Sequence, residues 1–266
     1  MEEENNMLNS KIIKCSSGTM PRNNNSWVVF FHGFGGSSDT WNKQISEYSK
    51  IYDLLLVDFH GNEACTEELT VPGLCAQIIE IMDVNKIEIA NIVSISSGSL
   101  VALAFAATYP ERVRSMALGG GIIKFNLRTG LLLTIARILK NSVPYMNLYK
   151  FFAYTIMPGE NHRRSREIFV REAEKLGHDE FCKWIDFIPQ LKKNKVYISQ
   201  INNLSKKIST LYIMGDCDHL FKKSIIKAAP DLKDSSVVII PKCGHVCSIE
   251  NSELFNAASI GFFVSV

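Results

Sequence analysis

The sequence carries almost no net charge: 29 lysines and arginines against 27 acids leave +2 over 266 residues. That balance excludes a global field able to hold nucleic acid or an anionic membrane, and small molecules are the expected partners. Cys-x-x-Cys spacing is also missing. The seven cysteines, Cys15, Cys65, Cys75, Cys182, Cys217, Cys243 and Cys247, are odd in number, so neither a disulfide framework nor a zinc site is favoured, and reduced thiols point to the cytoplasm. No apolar run approaches the length of a membrane span, and Met1–Asn6 has neither the basic start nor the apolar core of a signal peptide. Neither insertion nor export is expected. There is no internal repeat, and no low-complexity tract beyond Asn23–Asn25. Apolar residues at 46% and charged residues at 21% exclude disordered, collagen-like and coiled-coil classes. What remains is a globular chain able to bury a large core as one domain with an insertion.

The pattern along the chain alternates strands with helices. Lys11–Cys15 reads as a short edge strand and Pro21–Ser26 as a turn. Trp27–Phe31 is a continuous apolar run, as a buried parallel strand requires, and breaks into the glycine-rich His32–Gly36. Further strands are expected at Leu54–Asp58, Ile87–Val93 and Arg114–Leu118, with helices at Val71–Met82 and Ser99–Thr108, the latter stopping before Tyr109-Pro110. Such alternation implies a mostly parallel central sheet flanked by helices. From about Asn126 to Asn203 helical periodicity continues without a strand, through Leu131–Leu139, Tyr145–Thr155, Arg163–Leu176 and Asp179–Ile188. This segment is expected to be an inserted helical lid. Strands return at Ser209–Met214 and Ser236–Ile240, and Glu253–Phe263 reads as a terminal helix. The division expected is therefore core at 1–125, lid at 126–203 and core again at 204–266.

Three segments carry chemistry. Ile92–Leu100 joins a strand to a helix through small residues, which a sharp turn presenting a serine requires; taken alone, such a loop is as readily structural. Its apex is Ser96. The segment Ile239–His245 places a histidine after a glycine, just past the last strand, and Leu211–Asp218 is a strand ending in Gly-x-x-Asp. A serine hydroxyl needs a nearby base to act at neutral pH, and histidine is the residue suited to it. His60, His162, His178 and His219 lack comparable context and read as surface or capping residues.

Taken together these segments resemble the α/β-hydrolase family, over about Trp27–Leu118 and from Ser209 to the C-terminus. The family's elbow is Gly-x-Ser-x-Gly, here with Ser94 at the first glycine, and Tyr109–Val113 is a further familiar segment. The resemblance implies Ser96 as nucleophile, His245 as base and Asp218 as the acid that orients it, in the family's chain order. Asp216 is the rival acid, although an aspartate directly after the glycine more often serves the turn. His32–Gly36 resembles the oxyanion loop, implying that the backbone N–H groups of Phe34 and Ser97 form the hole, with His32 structural. Val57–Asn62 resembles the family's Pro-Asp-x-x-Gly-His loop, with departures at Val57 and Asn62. The implied activity is hydrolysis of a carboxylic ester or thioester through an acyl-enzyme, without metal or organic cofactor. The alternative is a small-molecule sensor or partner-binding regulator on the same fold. An oxygenase or lyase using the same residues is a more distant reading. The lid's aromatic residues are expected mainly to pack, a minority lining an apolar pocket. Basic clusters at His162–Arg166 and Lys192–Lys195 fit an anionic, carrier-linked substrate, although solvated helix ends are the plainer explanation.

Overall fold

A computed structural model describes residues 8–16, 27–59, 70–123, 125–205 and 207–266. The expected Pro21–Ser26 turn and the later part of the Val57–Asn62 loop lie outside the described residues, as do the side chains of Lys192–Lys195. In chain order the elements are β1 (Ser10–Ile13), β2 (Trp27–Phe31), α1 (Asn42–Tyr48), β3 (Asp53–Val57), α2 (Val71–Val84), β4 (Ala90–Ile95), α3 (Gly98–Thr108) and β5 (Val113–Gly119). Among the described residues five α-helices follow without a strand: α4 (Leu127–Leu139), α5 (Tyr145–Ile156), α6 (Arg163–Glu174), α7 (His178–Phe187) and α8 (Asn194–Asn202). The chain then re-enters the sheet with β6 (Ser209–Gly215), α9 (Lys222–Ala228), β7 (Ser235–Ile240), α10 (Cys247–Glu250) and α11 (Ser252–Ser265).

The seven strands among the described residues form one sheet in the order β1-β3-β2-β4-β5-β6-β7, parallel except for β1, which pairs antiparallel with β3. Side chains alternate across each strand, so an apolar run can feed two cores at once. Val29, Phe31, Leu55 and Val57 pack toward one side with α2 and α3, while Val28, Phe30, Leu54 and Leu56 pack toward the other with Tyr48 and Phe255. Leu100–Ala106 of α3 is buried all round, its alanines allowing close approach to the sheet.

Two differences from the sequence pattern have local causes. β4 begins at Ala90 rather than Ile87, because Lys86 adopts a left-handed φ of 55° and the Ile87 N–H closes back onto Met82 O at 2.8 Å, ending α2. The short helices α1, α9 and α10 and the polar α8 give too little periodicity to be read from the chain. The chain winds from β2 to β3 on one side and to β4 on the other, so the loops after β2 and β4 meet at the carboxyl edge. That switch point is where an open α/β sheet leaves a crevice.

Candidate active site

Ser96 stands at the end of β4 with φ 53°, a left-handed conformation that costs a non-glycine residue about 1–3 kcal/mol. The surrounding bonds hold it there. Its N–H donates to Gly119 O at 2.8 Å, and Ser96 O accepts from Ser99 N–H at 3.0 Å and from Ser99 Oγ–H at 2.6 Å. Gly98 makes the tight turn possible, since a Cβ there would lie 2.4 Å from Phe31 O and 2.5 Å from His32 O. Ser94, at the motif's first glycine position, is buried, and its hydroxyl has no hydrogen-bond partner among the described residues.

The loops after β6 and β7 bring Asp218 and His245 to this serine. Ser96 Oγ–H donates to His245 Nε2 at 2.7 Å, and His245 Nδ1–H donates to Asp218 Oδ2 at 2.9 Å. The tautomer follows from the carboxylate, which requires the proton on Nδ1 and leaves Nε2 as acceptor. Asp218 Oδ1 accepts from the Leu220 and Phe221 N–H groups at 3.1 and 2.9 Å. Burial alone would raise its carboxyl pKa, but the charge and hydrogen bond of His245, with those two N–H groups, hold it below the ordinary value. Phe221 lies against the imidazole at 4.9 Å between centroids, and a Cβ on Gly120 would fall 2.3 Å from His245 O. Asp216, the rival acid, instead accepts from Cys243 N–H at 3.1 Å. The Lys242 backbone N–H, the Cys217 side chain and this bond lower its pKa to about 2.

His32 is fully buried; its Nδ1–H donates to Gly33 O at 2.8 Å and Nε2 accepts from Phe59 N–H at 2.9 Å. It is a structural strut. The Phe34 N–H donates to Ser97 Oγ at 2.7 Å, joining the loops after β2 and β4. On the other side of this loop Tyr149 of α5 donates to Phe34 O at 2.8 Å. Gly35 takes φ 68° there, and a Cβ would sit 2.1 Å from the tyrosine hydroxyl.

A sequence model of the α/β-hydrolase fold matches residues 26–151. The structure superposes on the enol-lactonase from Burkholderia xenovorans LB400 with a TM-score of 0.77 at 18% identity, over 97% of this chain and 96% of that one. The chain has the α/β-hydrolase fold. Pimeloyl-[acyl-carrier protein] methyl ester esterase of Wigglesworthia glossinidia brevipalpis is 24% identical over 246 residues, covering 86% of this chain and 90% of that protein. A dihydrolipoyllysine-residue acetyltransferase component of the acetoin cleaving system, from Cupriavidus necator, is 33% identical over 94 residues, 34% of this chain; the match spans 25% of that protein.

In this α/β-hydrolase fold Ser96 and residues of the helices between β5 and β6 line a common cavity of about 130 Å³. Ile122, Phe125, Leu132, Phe152, Phe169 and Ile185 are among its walls, and the described residues lining it include no lysine or arginine. The one carboxylate among the described lining residues is Glu172 of α6, which the sequence pattern gave no reason to single out. This side chain is buried, accepting from Ser37 Oγ–H at 2.9 Å and pairing with Lys175 at 2.9 Å.

Two expectations for this helical segment need correcting. His162 is neither a surface residue nor a side-chain cap: it is buried and its Nδ1–H donates to Glu250 Oε2 at 2.8 Å. Arg166 is also buried, donating to Met157 O and Gly159 O at 2.6 Å each. The His162–Arg166 cluster is therefore a solvated helix end only at Arg163 and Arg164, which are exposed, whereas His162, Ser165 and Arg166 are buried. His178 and His219 are exposed, as expected, and His60 lies outside the described residues. Among the described residues no helix is long and apolar enough to cross a membrane, and no group of His, Cys, Asp and Glu is arranged to hold a metal.

Proposed function

We propose that the protein is a serine hydrolase that cleaves a carboxylic ester or thioester carrying a small, uncharged, apolar acyl group. The observation that carries this reading is the continuous hydrogen-bonded chain from Ser96 Oγ through His245 to Asp218, on a turn whose left-handed φ presents the hydroxyl. Relatives support the hydrolase class, among them the esterase above. The apolar cavity beside Ser96 supports the acyl class, because burying an unpaired carboxylate against such walls is costly.

In this mechanism Ser96 Oγ attacks the carbonyl carbon while its proton passes to His245 Nε2. Asp218 fixes the imidazole and stabilises its cation. The oxyanion is received by the Ser97 and Phe34 N–H groups, the latter exchanging Ser97 Oγ for the substrate oxygen. His245 then protonates the leaving group, and a water activated by His245 cleaves the acyl-enzyme. The helices between β5 and β6 serve as the lid, and free thiols at Cys15, Cys75, Cys182, Cys217, Cys243 and Cys247 suit the cytoplasm.

The regulator reading draws on one observation, the engagement of the Phe34 N–H by Ser97, which leaves that donor occupied. Purified protein is expected to release p-nitrophenol from short-chain p-nitrophenyl esters, and Ser96→Ala to lose about 10³-fold or more of that rate. Equal rates for parent and variant would overturn the serine mechanism. Tight ester binding without turnover by the parent would favour the regulator.

A further inference from the structure

A second buried histidine–carboxylate pair lies beside the first. His162 precedes α6, in the helical segment between β5 and β6, and Glu250 ends α10, five residues beyond His245. Their side chains are only 4% and 6% exposed, and His162 Nδ1 lies 2.8 Å from Glu250 Oε2. That same oxygen accepts the Gly244 N–H at 2.7 Å, on the residue before His245. The imidazole of His162 packs so closely on Gly244 that a Cβ there would fall 2.3 Å from its Cε1. Position 244 thus has no room for a side chain. The other carboxylate oxygen, Oε1, is buried without a hydrogen-bond partner among the described residues.

A buried carboxylate with one oxygen unsatisfied is a poor way to stabilise a fold. What the arrangement does supply is geometry. Gly120 and Phe221 confine the His245 ring, while the bond from Gly244 N–H to Glu250 fixes the backbone from which the ring hangs. The contact of Nε2 with Ser96 Oγ is 2.7 Å, a separation at which small displacements of the imidazole weaken proton transfer steeply.

We propose that Glu250 is a positioning residue for His245 and that His162 couples it to the inserted helices, so that docking of those helices sets the reach of the base to Ser96. This rests on reading Ser96 and His245 as nucleophile and base. It assigns the segment over the cavity a second task besides enclosing substrate: the loop that carries the base is braced from the lid side. Tyr149, bonded to Phe34 O, braces the opposite loop from the same segment.

The test is steady-state hydrolysis of a short p-nitrophenyl ester by the full chain carrying Glu250→Ala, Glu250→Gln, His162→Ala and the Glu250→Ala/His162→Ala pair, with melting temperatures measured alongside. Glu250→Ala and His162→Ala should each lower kcat about 10–100-fold while KM changes less than about twofold. Glu250→Gln, whose amide oxygen still accepts the Gly244 N–H, should recover most of kcat. The double variant should be no slower than Glu250→Ala, because both changes remove one brace. Parent kcat in a folded Glu250→Ala protein would overturn the proposal, as would a Glu250→Gln variant as slow as Glu250→Ala at equal melting temperature. Should Glu250→Ala not fold, His162→Ala decides by the same split, an unchanged kcat counting against the proposal. Parent-level activity in Ser96→Ala would instead remove the underlying reading, which keeps the two failures distinct.

Discussion

The Phe34 N–H donates to Ser97 Oγ at 2.7 Å, tying the loop after β2 to the turn after β4 directly beside Ser96. For Phe34 to serve a developing oxyanion this bond has to be exchanged for one to substrate. An N–H to hydroxyl bond contributes about 0.5–1.5 kcal/mol net. Ser97→Ala keeps the backbone N–H of residue 97 and releases that of Phe34, so kcat for ester hydrolysis is expected to rise about 2–10-fold. A fall in kcat at unchanged melting temperature would show that the hydroxyl itself assists the oxyanion.

Ser94 departs from the family's elbow at the position of its first glycine. Its buried hydroxyl has no hydrogen-bond partner among the described residues, and an unsatisfied polar group of this kind costs about 1–3 kcal/mol. Ser94→Ala is expected to raise the melting temperature by about 2–4 °C per kcal/mol recovered, with activity retained. A lowered melting temperature, measured by calorimetry, would mean that the hydroxyl is bonded in solution.

Asp218 links the site to acid stability. Its folded-state pKa is depressed, since burial is outweighed by His245 and the Leu220 and Phe221 N–H groups. The unfolded chain therefore binds more protons in the window between the two values. The stabilisation is complete above the ordinary aspartate pKa of about 3.9 and is lost as pH falls through the lower folded value. Melting temperature should fall more steeply below about pH 4 in the parent than in Asp218→Asn. Parallel curves for the two proteins would contradict the assigned direction.

The strands were legible because their apolar runs do not depend on distant partners: Trp27–Phe31 is a buried strand at every residue but its first. The loop positions of Ser96, Asp218 and His245 were legible through the family's motif order, and the folded chain brings these three side chains into hydrogen-bond contact. Buried polar residues away from motifs were not. His162 meets Glu250 across 88 residues and Ser37 meets Glu172 across 135, and no local pattern marks a charged side chain that becomes buried by such a pairing. The Phe34–Ser97 bond was hidden for a similar reason, since it depends on the rotamer of one serine.

The central claim is that Ser96 is a nucleophile activated by His245, and the most direct measurement is labelling by a fluorophosphonate followed by peptide mass spectrometry. The account predicts one adduct on the peptide containing Ser96, slowed by at least about 100-fold in His245→Ala and absent in Ser96→Ala. No adduct in the folded parent, or an adduct that persists in Ser96→Ala, would contradict it.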